Sequence, residues 1–265
     1  MKGRVLIIAG SDPSGGAGVQ ADIKTVTVLG GYAAAAITSL TVQNTTGVSA
    51  VHAVVPEIIR AQIEAVMSDI GADVVKIGMI GSVAAGEAIL EGVNGAAPIV
   101  LDPVLAATSG DALAEEALAG FIKGEMLSKC YLATPNAIEA EALTGIVIRT
   151  LGDQRRAAAR LLELGVQNAL VKGGHMNGAE VCDLLLTPDG ENTFKNPRIE
   201  ATSTHGTGCT LASAIAAGLA QKLTLERAVE RAIAYVREAI KTAPGLGAAA
   251  GPLNHACRVE PDDPL

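Results

Sequence analysis

Aromatic residues are nearly missing from this chain: three Tyr, two Phe and no Trp in 265 residues. So few flat rings cannot build a base-stacking platform for single-stranded nucleic acid. Positive charge is short as well, with 20 Lys and Arg against 28 Asp and Glu and a net charge of −8. Without a basic stripe nothing neutralises a phosphate backbone, so nucleic acid is not expected as a partner. The four cysteines, Cys130, Cys182, Cys209 and Cys257, lie far apart and form no C-x-x-C pair. That argues against a zinc site or a disulfide framework and for reduced thiols in a cytoplasmic protein. His52, His175, His205 and His255 are equally scattered, so local spacing builds no metal cluster. No apolar run is long enough to cross a bilayer, and no membrane role is expected. The run that opens the chain, MKGRVLIIAG, is cut by Ser11-Asp12-Pro13 and reads as a buried first strand rather than a leader.

What is present is an alternation of short β-rich apolar runs with Ala-rich helical stretches. Val5–Ala9 is continuously apolar, as a strand buried on both faces requires. Further strands are expected at 35–40, 74–77, 99–101, 131–133 and 169–171. Helices are expected at 18–29, 57–70, 83–92, 112–123, 137–144, 153–164, 207–221 and 225–242. This order predicts an α/β fold of three layers, α/β/α, with a mostly parallel central sheet. After Lys172 the pattern changes: 181–186 and 193–197 flank Thr187-Pro188-Asp189-Gly190, a turn sequence that predicts an antiparallel hairpin at the sheet edge. No linker, repeat or break in composition divides the chain, so residues 1–265 are read as one domain. The Pro- and Asp-rich end, from about 252 to 265, is expected to be partly mobile.

In open α/β sheets ligands sit beyond the carboxyl ends of the strands, and the polar residues there are the candidates for chemistry. The first strand runs into a Gly-rich loop, Gly10 to Gly18, with Asp22 in the helix behind it. The loop lacks the G-K-[ST] ending of a P-loop and does not fit G-x-G-x-x-G. Asp22 is either a ligand-reading carboxylate or simple compensation of the helix dipole. Asp102 follows another strand. Asn136 and Glu139 share one helix face, either as oxygen donors suited to Mg²⁺ with water or as a capping box. Lys172, followed by two glycines, is placed to meet a phosphate. Thr204-His205-Gly206-Thr207-Gly208-Cys209-Thr210 ends at a helix start whose amides and dipole favour an anion, with a thiol in the middle. Together these are the parts that phosphoryl transfer needs.

At these residues the chain resembles the ribokinase-like superfamily and, within it, the hydroxymethylpyrimidine/phosphomethylpyrimidine kinases of thiamine biosynthesis. The stretches that carry the resemblance are AGSDPSGGAGVQADIKT (9–25), VQNTTGV (42–48), KIGMIGS (76–82), LDPVL (101–105), TPNAIEAEAL (134–143), VKGGH (171–175) and STHGTGCT (203–210). The resemblance implies a ribokinase-like fold, ATP and Mg²⁺ as cofactors, and a homodimer. It also implies phosphorylation of 4-amino-5-hydroxymethyl-2-methylpyrimidine and then of its monophosphate.

By the same resemblance the pyrimidine lies among Gly10, Asp22, Gln43, Met79 and Val104, with Cys209 at the reacting end. Asp22 and Gln43 would read the amino group and ring nitrogens, while Met79 and Val104 cover the ring. Gly206, Gly208 and Lys172 would act with Cys209 in catalysis. Asn136, Glu139, Lys172, Thr204 and Thr207 would hold the nucleotide, and Asp102 and Glu139 the metal. The helix start is expected to lower the Cys209 thiol below its free value of about 8.5. A pyridoxine/pyridoxal kinase of the same superfamily is the nearest alternative. A non-catalytic nucleotide sensor and a sugar or adenosine kinase fit less well, the first because every catalytic part is retained. The second is disfavoured by Cys209 and by the lack of a clear lid segment between 10 and 50.

Overall fold

Six parallel strands form the centre of the sheet in the computed structural model, which describes residues 1–105, 117–174 and 178–257. The elements in chain order are β1 (Arg4–Ser11), α1 (Gly18–Val28), β2 (Tyr32–Asn44), β3 (Gly47–Ala53), α2 (Pro56–Asp69), β4 (Val74–Ile77), α3 (Val83–Val93) and β5 (Ile99–Leu101). They continue with α4 (Leu118–Phe121), β6 (Leu132–Ala133), α5 (Ala137–Thr144), α6 (Leu151–Glu163), β7 (Asn168–Val171), β8 (Glu180–Thr187), β9 (Gly190–Pro197), α7 (Thr207–Ala220) and α8 (Leu225–Lys241). The sheet order is β3-β2-β1-β4-β5-β6-β7-β8-β9. Strands β2 through β7 in that order are parallel, and β3, β8 and β9 pair antiparallel at the two edges.

The alternation of side chains along β1 shows why the sheet must be covered twice. Leu6 and Ile8 join one apolar cluster, with Ile59 and Ile63 of α2 and Ile89 of α3. Val5, Ile7 and Ala9 join the other, with Ile215 of α7 and Tyr235 of α8. Along Val5–Ala9 neither face meets water, so this stretch of the strand is apolar at every position.

The expected elements are found with two differences among the described residues. The strand expected at 35–40 extends to Asn44 and turns back at Thr45-Thr46 into β3, which the sequence did not reveal. Strand β3 faces no core: five of its seven residues, Glu-free and Lys-free, are exposed, so it has no apolar period to read. The helix expected at 112–123 is seen only as α4, followed by a π turn at Ile122–Met126 and a 3₁₀ turn at Leu127–Lys129. Its first part lies outside the described residues.

Part of the segment expected to be loose is packed. Leu253, His255 and Cys257 are buried. The Tyr235 hydroxyl donates to the His255 carbonyl at 2.7 Å, and the His205 N–H donates to the Gly251 carbonyl at 3.1 Å. Apolar residues in an otherwise polar tail fill a gap against α7 and α8, which composition alone does not show.

The His255 ring, 3.1 Å from Thr210 Oγ1, is pushed down to about 4 by burial, with smaller contributions from Lys24 and His205. Its charged form is therefore easier to make in the unfolded chain. Above about pH 6.5 the ring is neutral in both states; as pH falls from there towards 4 the unfolded state takes up the proton first. Stability is expected to fall across that window by on the order of 2–3 kcal/mol from this ring. Urea unfolding of the protein and His255→Gln, compared at pH 7.5 and 4.5, checks it: the variant should lose less on acidification.

Candidate active site

The chain leaves β1 to build β2 on one side and later returns to place β4 on the other, so a crevice opens beyond the carboxyl ends of β1 and β4. Helix α7 points its N-terminus at this crevice. Gly206 stands at its N-cap with φ +82°, and a Cβ there would collide with the Gly16 carbonyl. Only glycine tolerates both the backbone angle and the close approach of the 12–17 loop. Among the described residues no side chain caps α7, which leaves the amides of Gly208 and Cys209 in its first turn to serve a ligand.

A charged cluster adjoins that helix start. Lys172 Nζ lies 2.8 Å from Asp102 Oδ1 and 3.9 Å from Glu139 Oε2. A Cβ on Gly208 would stand 3.2 Å from Lys172 Nζ and 3.4 Å from Asp102 Oδ2, so a bare backbone lets α7 come down onto the pair. Burial pushes the Glu139 carboxyl up to about 7, with Asp102 adding to the rise and Lys172 opposing it. The capping-box reading of Asn136 and Glu139 holds. Glu139 N–H donates to Asn136 Oδ1 at 3.0 Å and Asn136 N–H donates to Glu139 Oε2 at 2.8 Å, a full capping box that also fixes Glu139 beside Lys172. Thr204 and Thr207 flank the same loop, the Thr207 N–H donating to the Thr204 carbonyl at 3.3 Å.

On the other side, a Cβ on Gly10 would stand 2.9 Å from both Met79 Sδ and Ser39 Oγ, so the glycine allows Met79 to lie across the end of β1. Gln43, near the tip of β2, is half-buried, with one end of its side-chain amide 3.2 Å from Thr41 Oγ1. Val104 is half-buried just beyond Asp102, next to the undescribed 106–116.

Two expectations need correction. Asp22 does not present a carboxylate to the crevice. It is fully buried, with Oδ2 2.7 Å from Lys76 Nζ and Oδ1 accepting from Ser213 Oγ at 2.6 Å. Both oxygens serve an internal ion pair that joins α1, β4 and α7 beneath the helix start. Nor is the Cys209 thiol lowered. Burial pushes it up to about 12; Lys76 and the Gly18 backbone N–H oppose the rise, and Asp22 and Asp102 add to it. Desolvation outweighs the helix start, and the thiol is neutral at physiological pH.

The residues that sequence reasoning missed are Lys76, Asp12 and His205 as individuals. A lysine inside Val74–Ile77 was a visible anomaly, because a charge in a fully buried strand must have a partner. Asp12 and His205 pair at 2.8 Å across 193 positions, and nothing local marks them. His175 lies outside the described residues.

Residues 12–254 match the family model of phosphomethylpyrimidine kinases. A hydroxymethylpyrimidine/phosphomethylpyrimidine kinase of Rhizobium meliloti is 46% identical over 94% of this chain and 96% of its own length. A thiamine biosynthesis bifunctional protein of Geobacter sulfurreducens is 45% identical over 98% of this chain, which spans 53% of that longer relative. Among solved structures, a pyridoxal kinase from Staphylococcus aureus in complex with AMP-PCP is similar with a TM-score of 0.89 and 30% identity, over 97% of this chain and 94% of the other. A phosphomethylpyrimidine kinase from Clostridium difficile has a TM-score of 0.80 and 38% identity, over 90% and 100%.

Proposed function

Because the chain belongs to the phosphomethylpyrimidine kinase family, we propose that it transfers phosphoryl groups from ATP first to 4-amino-5-hydroxymethyl-2-methylpyrimidine and then to its monophosphate. The observation that carries this reading is the convergence of the uncapped start of α7, the neutral Cys209 and the Lys172–Asp102 pair at one point of the crevice. There the amides of Gly208 and Cys209 meet negative charge on the acceptor end, and Lys172 meets the phosphates. Gly10, Gln43, Met79 and Val104 form the pyrimidine side. Asp22 supports the floor instead of touching substrate.

Asp102 and Glu139 are hard oxygen donors already arranged around a cation, the Lys172 ammonium, and they suit Mg²⁺ as two carboxylates completed by water and phosphate oxygens. When bound, the metal would neutralise charge on the transferred group. Asn136, Glu139, Thr204 and Thr207 complete the nucleotide side.

A homodimer is part of the proposal. Exposed Leu40, Val42 and Val51 line the β2–β3 hairpin, and β3 is an edge strand without Lys, Pro or any acidic residue to discourage pairing. A cytoplasmic location rests on the four cysteines, all free. No helix among the described residues is long and apolar enough to cross a membrane.

The test is an assay with Mg·ATP and the hydroxymethylpyrimidine, resolving mono- from diphosphate by chromatography, with pyridoxal in parallel. Sequential appearance of both pyrimidine products is expected. The likeness to pyridoxal kinases at TM-scores of 0.88–0.89 favours a second reading, vitamin B6 phosphorylation at the same site. Phosphorylation of pyridoxal alone would make that reading the right one.

A further inference from the structure

Side chains from three segments meet at one wall of the crevice. His205 Nε2 lies 2.8 Å from Asp12 Oδ2 and 3.5 Å from the Gln43 amide. The other end of that amide lies 3.2 Å from Thr41 Oγ1, which is itself 3.0 Å from the Ser11 carbonyl. Asp12, His205 and Thr41 are 3%, 5% and 9% exposed, so water does not relieve a mismatch among them.

Counting protons decides how the amide must lie. Burial pushes the Asp12 carboxyl up, but hydrogen bonds from His205 and Ser14 outweigh it and hold it at about 2. Asp12 therefore only accepts, and His205 Nε2 carries a hydrogen. A protonated Nε2 has no lone pair left for an amide N–H. Thr41 has one hydroxyl proton; given to the Ser11 carbonyl, the nearer of its two partners at 3.0 Å against 3.2 Å, it leaves the hydroxyl an acceptor towards Gln43. His205 gives its one Nε2 hydrogen mainly to Asp12 at 2.8 Å and offers Gln43, at 3.5 Å, only the flank of a polar N–H, so both neighbours favour the same orientation: Gln43 Oε1 towards His205 and Nε2 towards Thr41. The two ends of the amide are interchangeable in shape, and their partners alone distinguish them.

We infer that the Asp12–His205 dyad, together with Thr41, fixes the orientation of the Gln43 amide and so determines which donor–acceptor order the site accepts from a heteroaromatic ring. The inference rests on the proposed pyrimidine chemistry. An amide bonded at Thr41 and biased by the His205 N–H dipole keeps a lone pair on Oε1 and one hydrogen on Nε2 for a ligand. An aminopyrimidine edge offers an amino donor beside a ring-nitrogen acceptor, and the two match in one order only. Turned end for end, the amide would set donor against donor, a mismatch that hydrogen-bonding sites reject strongly. Pyridoxal has no amino group beside its ring nitrogen and does not present that pair. His205 and Asp12 are thus positioning residues that act through Gln43.

A double-mutant cycle tests this on the full chain, using His205→Phe, Gln43→Ala and both together. Asp12 in His205→Phe keeps three donors, the Ser14 N–H, the Ser14 hydroxyl and the Ala17 N–H, so no buried charge is stranded. His205→Phe is expected to raise KM for the pyrimidine about tenfold, the equivalent of one hydrogen bond, with kcat and KM for ATP unchanged. The double variant should match Gln43→Ala alone, since His205 has nothing left to orient. Multiplying effects in the double variant would overturn the inference. Thr41→Val removes the partner at the other end of the amide and runs the same cycle should His205→Phe fail to fold. Absence of any pyrimidine turnover by the wild type would overturn the proposed function and this inference with it. Turnover with independent effects would overturn the orientation role only.

Discussion

Replacing Lys76 by Met is expected to lower the unfolding free energy by about 3–5 kcal/mol, the largest stability effect of any single substitution proposed for this protein. Lys76 and Asp22 are both 0% exposed and pair at 2.7 Å. Two charges removed from water tolerate burial only through each other and through further hydrogen bonds, here one from Ser213. Burial pushes the Asp22 carboxyl up, and Lys76 and Ser213 hold it against that push. With Met at 76 the carboxyl must stay as a bare buried charge or take up a proton.

Its folded pKa then lies further above the unfolded value of about 3.9, so the loss is greatest near pH 7.5 and shrinks as pH falls through that raised value. Urea unfolding at pH 7.5 and 5.5 measures both the size and the sign. Lys76→Met/Asp22→Leu removes the pair as a unit and should recover most of the stability, because a neutral apolar replacement strands nothing. A single variant as stable as the wild type, or a double variant worse than the single, would mean that the pair is not what holds α1, β4 and α7 together.

That pair also shows how far the sequence could be read. Strand β4 was legible to the residue, because Val, Val and Ile around Lys76 outweigh one charge in the pattern. What the lysine does was not legible, since its partner Asp22 is 54 positions away on a helix. Asp22 itself was misread as a substrate carboxylate, because an acidic residue behind a Gly-rich loop looks the same whether it faces a ligand or the protein interior. Local devices fared better. The Asn136–Glu139 capping box is written in four consecutive residues, and the glycines of the α7 start follow from close approach of the backbone. Asp102 and Lys172, each a weak signal at the end of a strand, gain meaning only when parallel β5, β6 and β7 set them 2.8 Å apart. Strand β3 escaped notice because it is held by its pairing with β2 and buries nothing of its own.

Substituting Asp for Cys209 is expected to slow phosphoryl transfer to the pyrimidine monophosphate at least about a hundredfold more than transfer to the free alcohol. The thiol, pushed up to about 12 by burial against the opposing charge of Lys76, is neutral where the enzyme would work. A phosphate monoester has a second pKa of about 6 and reaches the site mostly as a dianion, which needs no base to become a nucleophile. A carboxylate at 209 would face that dianion across a few ångströms. At about 5 Å and an effective dielectric of about 20, one pair of like charges costs about 3 kcal/mol, which is more than a hundredfold in rate. The alcohol carries no charge to repel, and a carboxylate can accept its proton, so the first transfer should suffer little. Separate initial rates for the two acceptors, with Cys209→Ser as a neutral control that keeps the wild-type ratio, make the comparison. Equal losses at both steps would show that the thiol serves only to fill space at the start of α7. A selective loss would show that one neutral side chain lets a single anion hole serve acceptors of different charge.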